Sequence, residues 1–593
     1  MIEPRIYRVA FVPALLAVVL VMFSLESRPR PLPQGLPGDV VFGGAEAVAT
    51  TRAIVGAGED RRAGTVGDRE VARVTVEAFR SRGFSIEVDR FQSDGLDLEN
   101  VIGRHAGSTR RQVLVVAARD ASGVPDAGGS AADTAALIEL ARVFQGHPSE
   151  RTIVLASVDG SALGEVGTRR LAERLPNPEL VDSVLVLSGL GAPSSEPPAV
   201  VGWSNGTDRA GLGLQRTVAD ALREEVERVA ESPSPAGQLA RLAFPVGVGS
   251  QGPLIDAGFD AVRIAGGGEL ADTAGSRVDQ VDEDRIGGLG RAAFRVLDAL
   301  DRGGAPAGEP GAYVTAVSQV MPGWVLSLLA ITLIAPGLAA TVDAFARARR
   351  RQVALLPWAA WLGAAAGAFA LGLGLAYALS LAGATPEPPG APVDPALFPL
   401  DAAAWAVLVV VLGSVALAWV GLRAMAARLR PADGRVSAAG APVVVGLALA
   451  VALLALWLIN PFAALLLTPT LHLWLLATLF DPPPSRRARL VLVAIGLLAP
   501  ALLVLYELIA LSLDPVSGAW YLLLLVVGGH MGTAQALIWC VLAAILGATV
   551  AIARRRTPQP DPVAPAERPS VRGPGSYAGP GSLGGTESAL DPR

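Results

Sequence analysis

Three stretches, VLVVAARD (113–120), DAGGSAADTAALIELAR (126–142) and TIVLASVDGSALGEVGTRR (152–170), decide the fold of this chain. The first and third begin with short apolar runs, which are typical of strands buried on both faces of a sheet. The second carries apolar residues at helical spacing. A strand, a helix and a second strand in succession predict a unit of an α/β sheet.

The same alternation continues from residue 68 to residue 300. Helical spacing of apolar residues predicts helices at 68–83, 131–145, 164–174, 212–230 and 284–301. Short apolar or alternating runs predict further strands at 85–91, 183–189 and 260–266. Strands interleaved with helices predict one α/β domain over residues 42–301, with a mixed sheet flanked by helices and ample core.

Composition divides the chain into two unlike parts. Residues before about 310 mix charged and apolar types, whereas 319–553 are mainly Ala, Leu, Val, Trp and Gly, and the mean hydropathy of +0.46 favours a membrane protein. All 49 basic residues are arginine, so a catalytic lysine is excluded. The single cysteine, Cys540, excludes a disulfide framework and a cysteine metal site. A net charge of −5 offers no footprint for nucleic acid.

Eight apolar runs are long enough to cross about 30 Å of hydrocarbon as helices. They lie at 9–25, 321–342, 355–382, 402–425, 440–459, 461–480, 489–512 and 519–553. The first is either an uncleaved anchor or a cleaved signal peptide, and the lack of a small-x-small cleavage site favours the anchor. The last is too long for one crossing, and GGHMG at 528–532 divides it, so that 519–529 is either re-entrant or interfacial.

Arginines follow every second apolar run, whereas the loops at 384–400 and 513–518 carry no basic residue. The positive-inside rule therefore predicts cytoplasmic termini and an extracytoplasmic segment at 28–318. The Ala- and Arg-rich composition indicates a GC-rich bacterium, and hence its plasma membrane. The predicted organisation is an anchor at 1–27, a Pro-rich linker at 28–41, the domain at 42–301, a linker at 302–318, about seven membrane helices at 319–553 and a disordered cytoplasmic tail at 554–593.

The three quoted stretches resemble the core of the zinc exopeptidases that include bacterial leucyl aminopeptidases (peptidase family M-twenty-eight). In that family one strand ends in H-x-D, G-A-D-D-N-x-S-G opens a helix, and another strand ends in D-G-E-E-x-G. The segments RRAGTVGDREVARVTVEAF (61–79), FQSDGLDLENVIGRHAG (91–107) and GPLIDAGFDAVRIAGGG (252–268) resemble other parts of the family, so the resemblance covers the whole domain. The anchor, outer domain and membrane bundle are similar in plan to the endoplasmic-reticulum metallopeptidases. They are similar also to the peptidase-like subunit of the glycosylphosphatidylinositol transamidase.

The family binds two zinc ions through a His, a bridging Asp, a Glu, a second Asp and a late His, with another Glu as general base. The resemblance places these functions on Ala118, Gly129, Ser161 with Ala162, Ser188 and the neighbourhood of Asp272. Asp120 keeps the place of the Asp that orients the first His. Only Asp272 retains a group able to bind zinc, so the resemblance implies a peptidase fold without its metal and without another cofactor.

Other polar residues of the domain offer little to replace the lost ligands. His105 and His147 are predicted in loops away from the site. Asp126, Asp133 and Glu165 flank the lost positions and form either an oxygen-ligand site or structural caps, with helix capping favoured for Asp133. Ser161 lacks a neighbouring base, so a serine nucleophile is not supported.

Three functions remain open from the sequence. The favoured one is a non-catalytic binding or scaffold domain for a protein, peptide or lipid-linked ligand, on a protein held in the lipid bilayer. The second is an active zinc aminopeptidase with a rearranged site, for which zinc would be the cofactor. The third is a lipid-handling or transport role of the membrane bundle.

Polar residues within the apolar runs bear on the third function. They are Asn460, His472, Glu507, His530 and Gln535. Polar and ionisable side chains in lipid are unfavourable and usually face the interior of a bundle. They are therefore expected either to join helices by hydrogen bonds or to form a polar pocket that opens towards the outer domain and fits a lipid head group or peptide.

Overall fold

A mixed sheet organises the first half of the protein, which the computed structural model describes at residues 3–34, 42–175, 177–427 and 440–555. Ten strands occur in these ranges: β1 (Glu26–Ser27), β2 (Ser85–Ser93), β3 (Leu96–His105), β4 (Gln112–Ala118), β5 (Thr152–Val158), β6 (Val181–Ser188), β7 (Ala199–Val201), β8 (Ala261–Ala265), β9 (Tyr313–Ala316) and β10 (Gln319–Pro322). Seven of them form one sheet in the order β2-β3-β5-β4-β6-β8-β7. The four strands β5, β4, β6 and β8 run parallel, and the others are antiparallel to their neighbours.

Eight helices of the described ranges accompany this sheet. They are α1 (Gly44–Ala57), α2 (Val66–Ser81), α3 (Ala132–Phe144), α4 (Val166–Arg174), α5 (Leu212–Glu225), α6 (Pro235–Ala243), α7 (Gln251–Asp256) and α8 (Glu283–Gly303). The parallel strands are continuous apolar runs because both of their faces are covered, and β4 and β5 share one buried core with α3 and α8. The expected α/β fold class is confirmed.

Helices fill the second half of the protein. Eight helices of the described residues are long and apolar enough to cross a membrane, and we call them spans 1 to 8: Pro4–Phe23, Gly323–Arg350, Leu356–Leu381, Ala402–Met425, Gly440–Ile459, Pro461–Leu479, Arg486–Ala510 and Thr533–Arg554. The predicted run at 519–553 is divided into the short apolar helix Pro515–Val527 and span 8. Gly529 between them has a φ of +87°, which ends a right-handed helix.

A small sheet joins the ends of spans 1 and 2. β1, directly after span 1, pairs with β10, and β10 pairs with β9 in the order β1-β10-β9. Residues 302–318, expected to be only a linker, therefore contain strand β9, because this segment finds backbone partners in β10. Leu32 of the other predicted linker donates its backbone N–H to Thr217 Oγ1 at 3.0 Å. The predicted linker residues 35–41 and tail residues 556–593 lie outside the described residues.

The α/β domain rests on one side of the helices. Asn460, between spans 5 and 6, donates from Nδ2 to the backbone oxygens of Leu242 and Ala243 at 2.9 and 3.2 Å. The hydroxyl of Tyr521 in the short apolar helix donates to the backbone oxygen of Val393 in the 384–400 loop. Asp394 of the same loop lines a cavity of the domain, so that this loop, like Asn460, contacts the domain.

Candidate functional site

A cavity of about 150 Å³ lies where the parallel strands of the sheet end. Ala118 is the last residue of β4, Ser188 is the last residue of β6, and Ser161 follows β5. Because β4, β5, β6 and β8 are parallel, their carboxyl ends meet at one edge of the sheet. Ligand sites of open α/β sheets usually lie at such an edge.

The positions singled out in the sequence meet around this cavity. Ala118, Gly129, Ser161, Ala162 and Ser188 all line it. Asp272 is exposed, and its neighbours Ala271 and Thr273 provide the lining instead. The residues that the resemblance singled out therefore lie around one cavity, except for Asp272, which does not line it.

Asp120 is the carboxylate nearest to the end of β4, and it holds the turn that follows β5. It accepts hydrogen bonds from the backbone N–H groups of Ser161 at 2.9 Å and Ala162 at 3.2 Å. Burial raises the pKa of Asp120 above its ordinary value, and the two hydrogen bonds oppose that effect. In this protein Asp120 thus orients a loop, where in the zinc family it would orient a histidine.

Asp133 also serves the loops around the cavity. Its carboxylate accepts from the backbone N–H groups of Gly189 at 2.8 Å and Leu190 at 2.9 Å, directly after β6. The expectation that Asp133 caps its own helix is therefore wrong, because the carboxylate reaches two unpaired amides of a neighbouring loop. Burial raises the pKa of Asp133 to about 7.

Glu165 and Asp126 complete the acidic wall. Glu165 Oε2 accepts from the hydroxyls of Ser250 at 2.6 Å and Thr168 at 3.1 Å, and burial raises the pKa of Glu165 to about 7. Asp126 Oδ2 accepts from the backbone N–H of Ser130 at 3.0 Å and from its hydroxyl at 2.7 Å. Each of these carboxylates is thus engaged by donors of the protein itself.

Arg263 is the functional residue that the sequence reasoning missed. It lies in β8, is 4% exposed, and lines the cavity together with six carboxylates, those of Asp120, Asp126, Asp133, Glu165, Glu269 and Asp394. Its guanidinium donates to Ser188 Oγ at 3.3 Å and to the backbone oxygen of Glu269 at 3.0 Å. Burial lowers the pKa of Arg263, whereas Glu269, Glu165 and Asp133 raise it. An arginine inside the apolar strand AVRIA was the available signal, since an unpaired buried charge is unfavourable.

Gly129 stands in a place that leaves no room for a side chain. A Cβ atom there would lie 2.2 Å from Asp126 Oδ1 and 2.4 Å from Thr273 Oγ1. Such distances are far below van der Waals contact, so neighbouring groups would have to move. A carboxylate at this position is therefore incompatible with the present arrangement of Asp126 and Thr273.

Among the described residues, those that line this cavity include carboxylates, hydroxyls and a guanidinium but no histidine or cysteine. Zinc binds imidazole, thiolate and free carboxylate oxygens, and a neighbouring guanidinium opposes a divalent cation. His105 Nε2 donates to the backbone oxygen of His147 at 3.2 Å, and neither histidine lines the cavity. Across the described ranges, no group of three or more His, Cys, Asp or Glu side chains is arranged to hold a metal ion.

A chain of polar contacts leads from this cavity to span 7. Glu269, which lines the cavity, pairs with Arg241 of α6 at 2.6 and 2.5 Å. Arg241 Nε donates to the hydroxyl of Tyr506 in span 7 at 3.3 Å. The domain cavity and the membrane helices are thus joined by charged and hydroxyl groups, with Arg263 at one end and Tyr506 at the other.

The polar residues predicted to cluster in the membrane half separate into three places. Asn460, His530 and Gln535 line a second cavity of about 270 Å³ at the boundary with the domain. Glu507 lines a third, largely apolar cavity of about 480 Å³. His472 lies apart from both, with Nδ1 2.6 Å from the hydroxyl of Tyr7 in span 1 and Nε2 2.9 Å from the backbone oxygen of Leu333 in span 2.

Comparison with known proteins yields structural matches only. No family model and no curated protein sequence matches this chain. A glutaminyl cyclase from an Acidobacteriales bacterium is 16% identical, covers 46% of this chain and 98% of its own, and has a TM-score of 0.37. The zinc aminopeptidase BSAP from Bacillus subtilis is 14% identical, with 47% and 98% covered and a TM-score of 0.34. A leucine aminopeptidase precursor from Bacteroides thetaiotaomicron is 14% identical, with 45% and 99% covered and a TM-score of 0.34.

Proposed function

We propose that this protein is a membrane-anchored, non-catalytic binding protein whose α/β domain has kept a peptidase-like site without its metal chemistry. The observation that supports the proposal is that one domain cavity is lined by Ala118, Gly129, Ser161, Ala162 and Ser188, to which the family resemblance assigns the places of metal ligands and base. A protein or peptide ligand would use the cavity and its rim. Zinc and other cofactors have no part in this proposal.

The state of the remaining carboxylates supports the proposal. A general base must be free to take a proton from water, and a metal ligand must offer lone pairs to the metal. Asp120 and Asp133 instead accept backbone hydrogen bonds with both of their oxygens, and Glu165 Oε2 and Asp126 Oδ2 accept from neighbouring groups, whereas Asp126 Oδ1 has no hydrogen-bond partner among the described residues. Arg263 places a positive charge inside the same cavity, and this charge would repel a pair of zinc ions.

Metal analysis of the full-length protein tests this function. We expect the detergent-purified protein, after incubation with zinc and desalting, to hold much less than one zinc per chain. We also expect no hydrolysis of aminoacyl p-nitroanilides above that of the Glu165→Gln variant, which lacks the ionisable side chain of one of the two cavity glutamates. A chelator should leave the melting temperature unchanged, because a metal bound only by the folded state would stabilise it. Stoichiometric zinc with chelator-sensitive hydrolysis would establish the rearranged aminopeptidase instead.

The orientation in the membrane is part of the proposal. The arginines at the ends of spans 2 and 8 and at the start of span 7 support a domain outside the cytoplasm of a bacterial cell and termini inside it. In a Cys540→Ala background, a membrane-impermeant thiol reagent should label Ser195→Cys in the domain of intact cells. It should label Ser485→Cys, before span 7, only after the cells are opened. The reverse pattern would invert the topology.

A further inference from the structure

Two neighbouring cavities lie where the membrane helices meet the domain. The apolar cavity of about 480 Å³ is bounded mainly by span 7, the short apolar helix and span 8. The polar cavity of about 270 Å³ is bounded by the domain on one side and by Asn460, His530 and Gln535 on the other. Phe244 and Met531 line both cavities, so that the two spaces adjoin. An apolar cavity next to a polar one matches a molecule with an apolar chain and a polar head group.

The apolar cavity reaches from the middle of span 7 to its domain-side end. Pro500 and Leu503 in the second half of span 7 line it, and so do Leu511 and Leu513, which follow the end of this span. Its volume falls within the range of roughly 300–1,000 Å³ that is typical of small-molecule sites. Val504 and Leu522 also line it and are 58% and 41% exposed on the surface of the helices. The cavity therefore opens sideways at the level where lipid hydrocarbon would surround the protein.

Three polar atoms at these cavities have no hydrogen-bond partner among the described residues. In the apolar cavity they are the carboxylate Oε1 of Glu507 and the indole N–H of Trp539. In the polar cavity it is the amide oxygen Oδ1 of Asn205. Buried polar atoms are normally paired, so each of these atoms points to a missing partner. Two of them need a donor, and one needs an acceptor.

The charge of the lining restricts the head group of the occupant. Neither cavity is lined by an arginine, and the chain has no lysine. A phosphate group there would meet the carboxyl group of Glu507, and the nearby Arg241 is already paired with Glu269. Hydroxyl groups, in contrast, can donate to Glu507 and Asn205, and an ester carbonyl can accept from Trp539.

We propose that the two cavities bind one neutral ester lipid with a hydroxyl-bearing head group, an acylglycerol, with its acyl chain in the apolar cavity and its hydroxyls towards the polar cavity. Each acyl CH₂ that leaves water for such a cavity favours binding. The side opening allows the chain to enter from the bilayer. This site is separate from the domain cavity and does not depend on the absence of metal chemistry there.

Photolabelling of the full-length protein tests the site. The protein is placed in phosphatidylcholine nanodiscs with a monoacylglycerol that carries a diazirine near the end of its acyl chain. We expect crosslinks in the segment 500–526 and around Cys540. Excess unlabelled monoacylglycerol should remove them, whereas excess phosphatidylglycerol should not.

Variants on span 7 separate the site from general lipid contact. Leu503→Trp fills the apolar cavity and should abolish the competed crosslinks. Leu502→Trp is the matched control, because Leu502 is 61% exposed and does not line the cavity. Glu507→Leu removes the unpaired acceptor and should weaken competition by monoacylglycerol, whereas Glu507→Gln keeps an acceptor oxygen and should retain most of it.

The outcomes decide the proposal in either direction. Equal competition by phosphatidylglycerol would show a site for acyl chains in general and would overturn the neutral head group. The proposal would be overturned in favour of lipid contact at the protein surface by either of two results. One is that no lipid displaces the crosslinks, and the other is that Leu502→Trp reduces them as strongly as Leu503→Trp. Loss of crosslinks only in Leu503→Trp, with displacement by monoacylglycerol alone, would establish it.

Discussion

The buried carboxyl of Glu165 predicts that the domain becomes less stable as the pH rises through neutrality. Burial raises the pKa of Glu165 in the folded protein to about 7, from an ordinary 4.5. Between these two values the folded state still holds a proton that the unfolded state has released. Stability must therefore fall with rising pH over this range, and the decrease is complete above about pH 7.

The size of the effect follows from the difference between the two pKa values. At about 1.4 kcal/mol for each pH unit, the folded domain loses up to about 3 kcal/mol from Glu165 alone. For a domain of this size, 1 kcal/mol corresponds to roughly 2–4 °C in melting temperature. The expected contribution is therefore roughly 6–12 °C between pH 4.5 and pH 8.

The Glu165→Gln variant isolates this contribution. Glutamine keeps an oxygen that can accept from Ser250 and Thr168, but it cannot ionise. We expect the variant to melt at a higher temperature than the wild type at pH 8 and at nearly the same temperature at pH 4.5. Near-ultraviolet circular dichroism of the detergent-purified full-length protein would measure both transitions.

A matched control lies on helix α4, which Glu165 directly precedes. Glu173 is exposed, so Glu173→Gln should leave the pH dependence of the melting temperature as it is in the wild type. Destabilisation of Glu165→Gln at pH 8 would refute the reasoning, because it would mean that the ionised carboxylate is favoured in the cavity. An unchanged pH dependence would refute it as well.

Two further substitutions test the frame of the site. Gly129→Ala places a Cβ 2.2 Å from Asp126 Oδ1 and should lower the free energy of unfolding by about 1–3 kcal/mol. Gly56→Ala is the control, because a Cβ there meets no atom within 4 Å and should not destabilise the protein. Equal melting temperatures of the two variants would contradict the crowding at Gly129. Arg119→Met leaves the buried carboxylate of Asp68 without its bidentate partner and should lower the free energy of unfolding by about 3–5 kcal/mol. Arg73→Met, which breaks the exposed pair with Glu70, should cost less than about 1 kcal/mol. Urea titration would measure both losses, and similar values would contradict the burial argument.

Much of the fold could be predicted from local sequence patterns. The central strands are apolar runs with both faces covered, so that their pattern is unambiguous, as VLVVAA before Arg119 illustrates. The spans were recognisable for the same reason, because each is long and apolar. The strands β9 and β10 were missed because each is only four residues long, and β10 has its second partner, β1, far away in sequence.

The site was predictable in position but not in its interactions. The order of motifs placed Ala118 and Ser188 at the ends of neighbouring strands, and parallel pairing then brings those ends together. The bonds of Asp133 to the loop after β6 could not be read from its own helix, where a carboxylate near the first turn suggests a cap. Arg263 was overlooked because its strand satisfies the pattern of a buried strand despite the charge.

The pairing of β1 with β10 has a consequence for how the helices assemble. The entire domain leaves the bundle after span 1 and returns at span 2, and the two strands hold its chain ends side by side. For an unfolded segment of this length, bringing the ends together would cost roughly 5 kcal/mol in chain entropy. In the folded domain the two chain ends are already close together, so that spans 1 and 2 can pair without this loss of entropy. Val320→Pro, which removes a backbone donor of β10, is therefore expected to slow the pairing of the two spans during refolding, as measured by fluorescence energy transfer between labels on them.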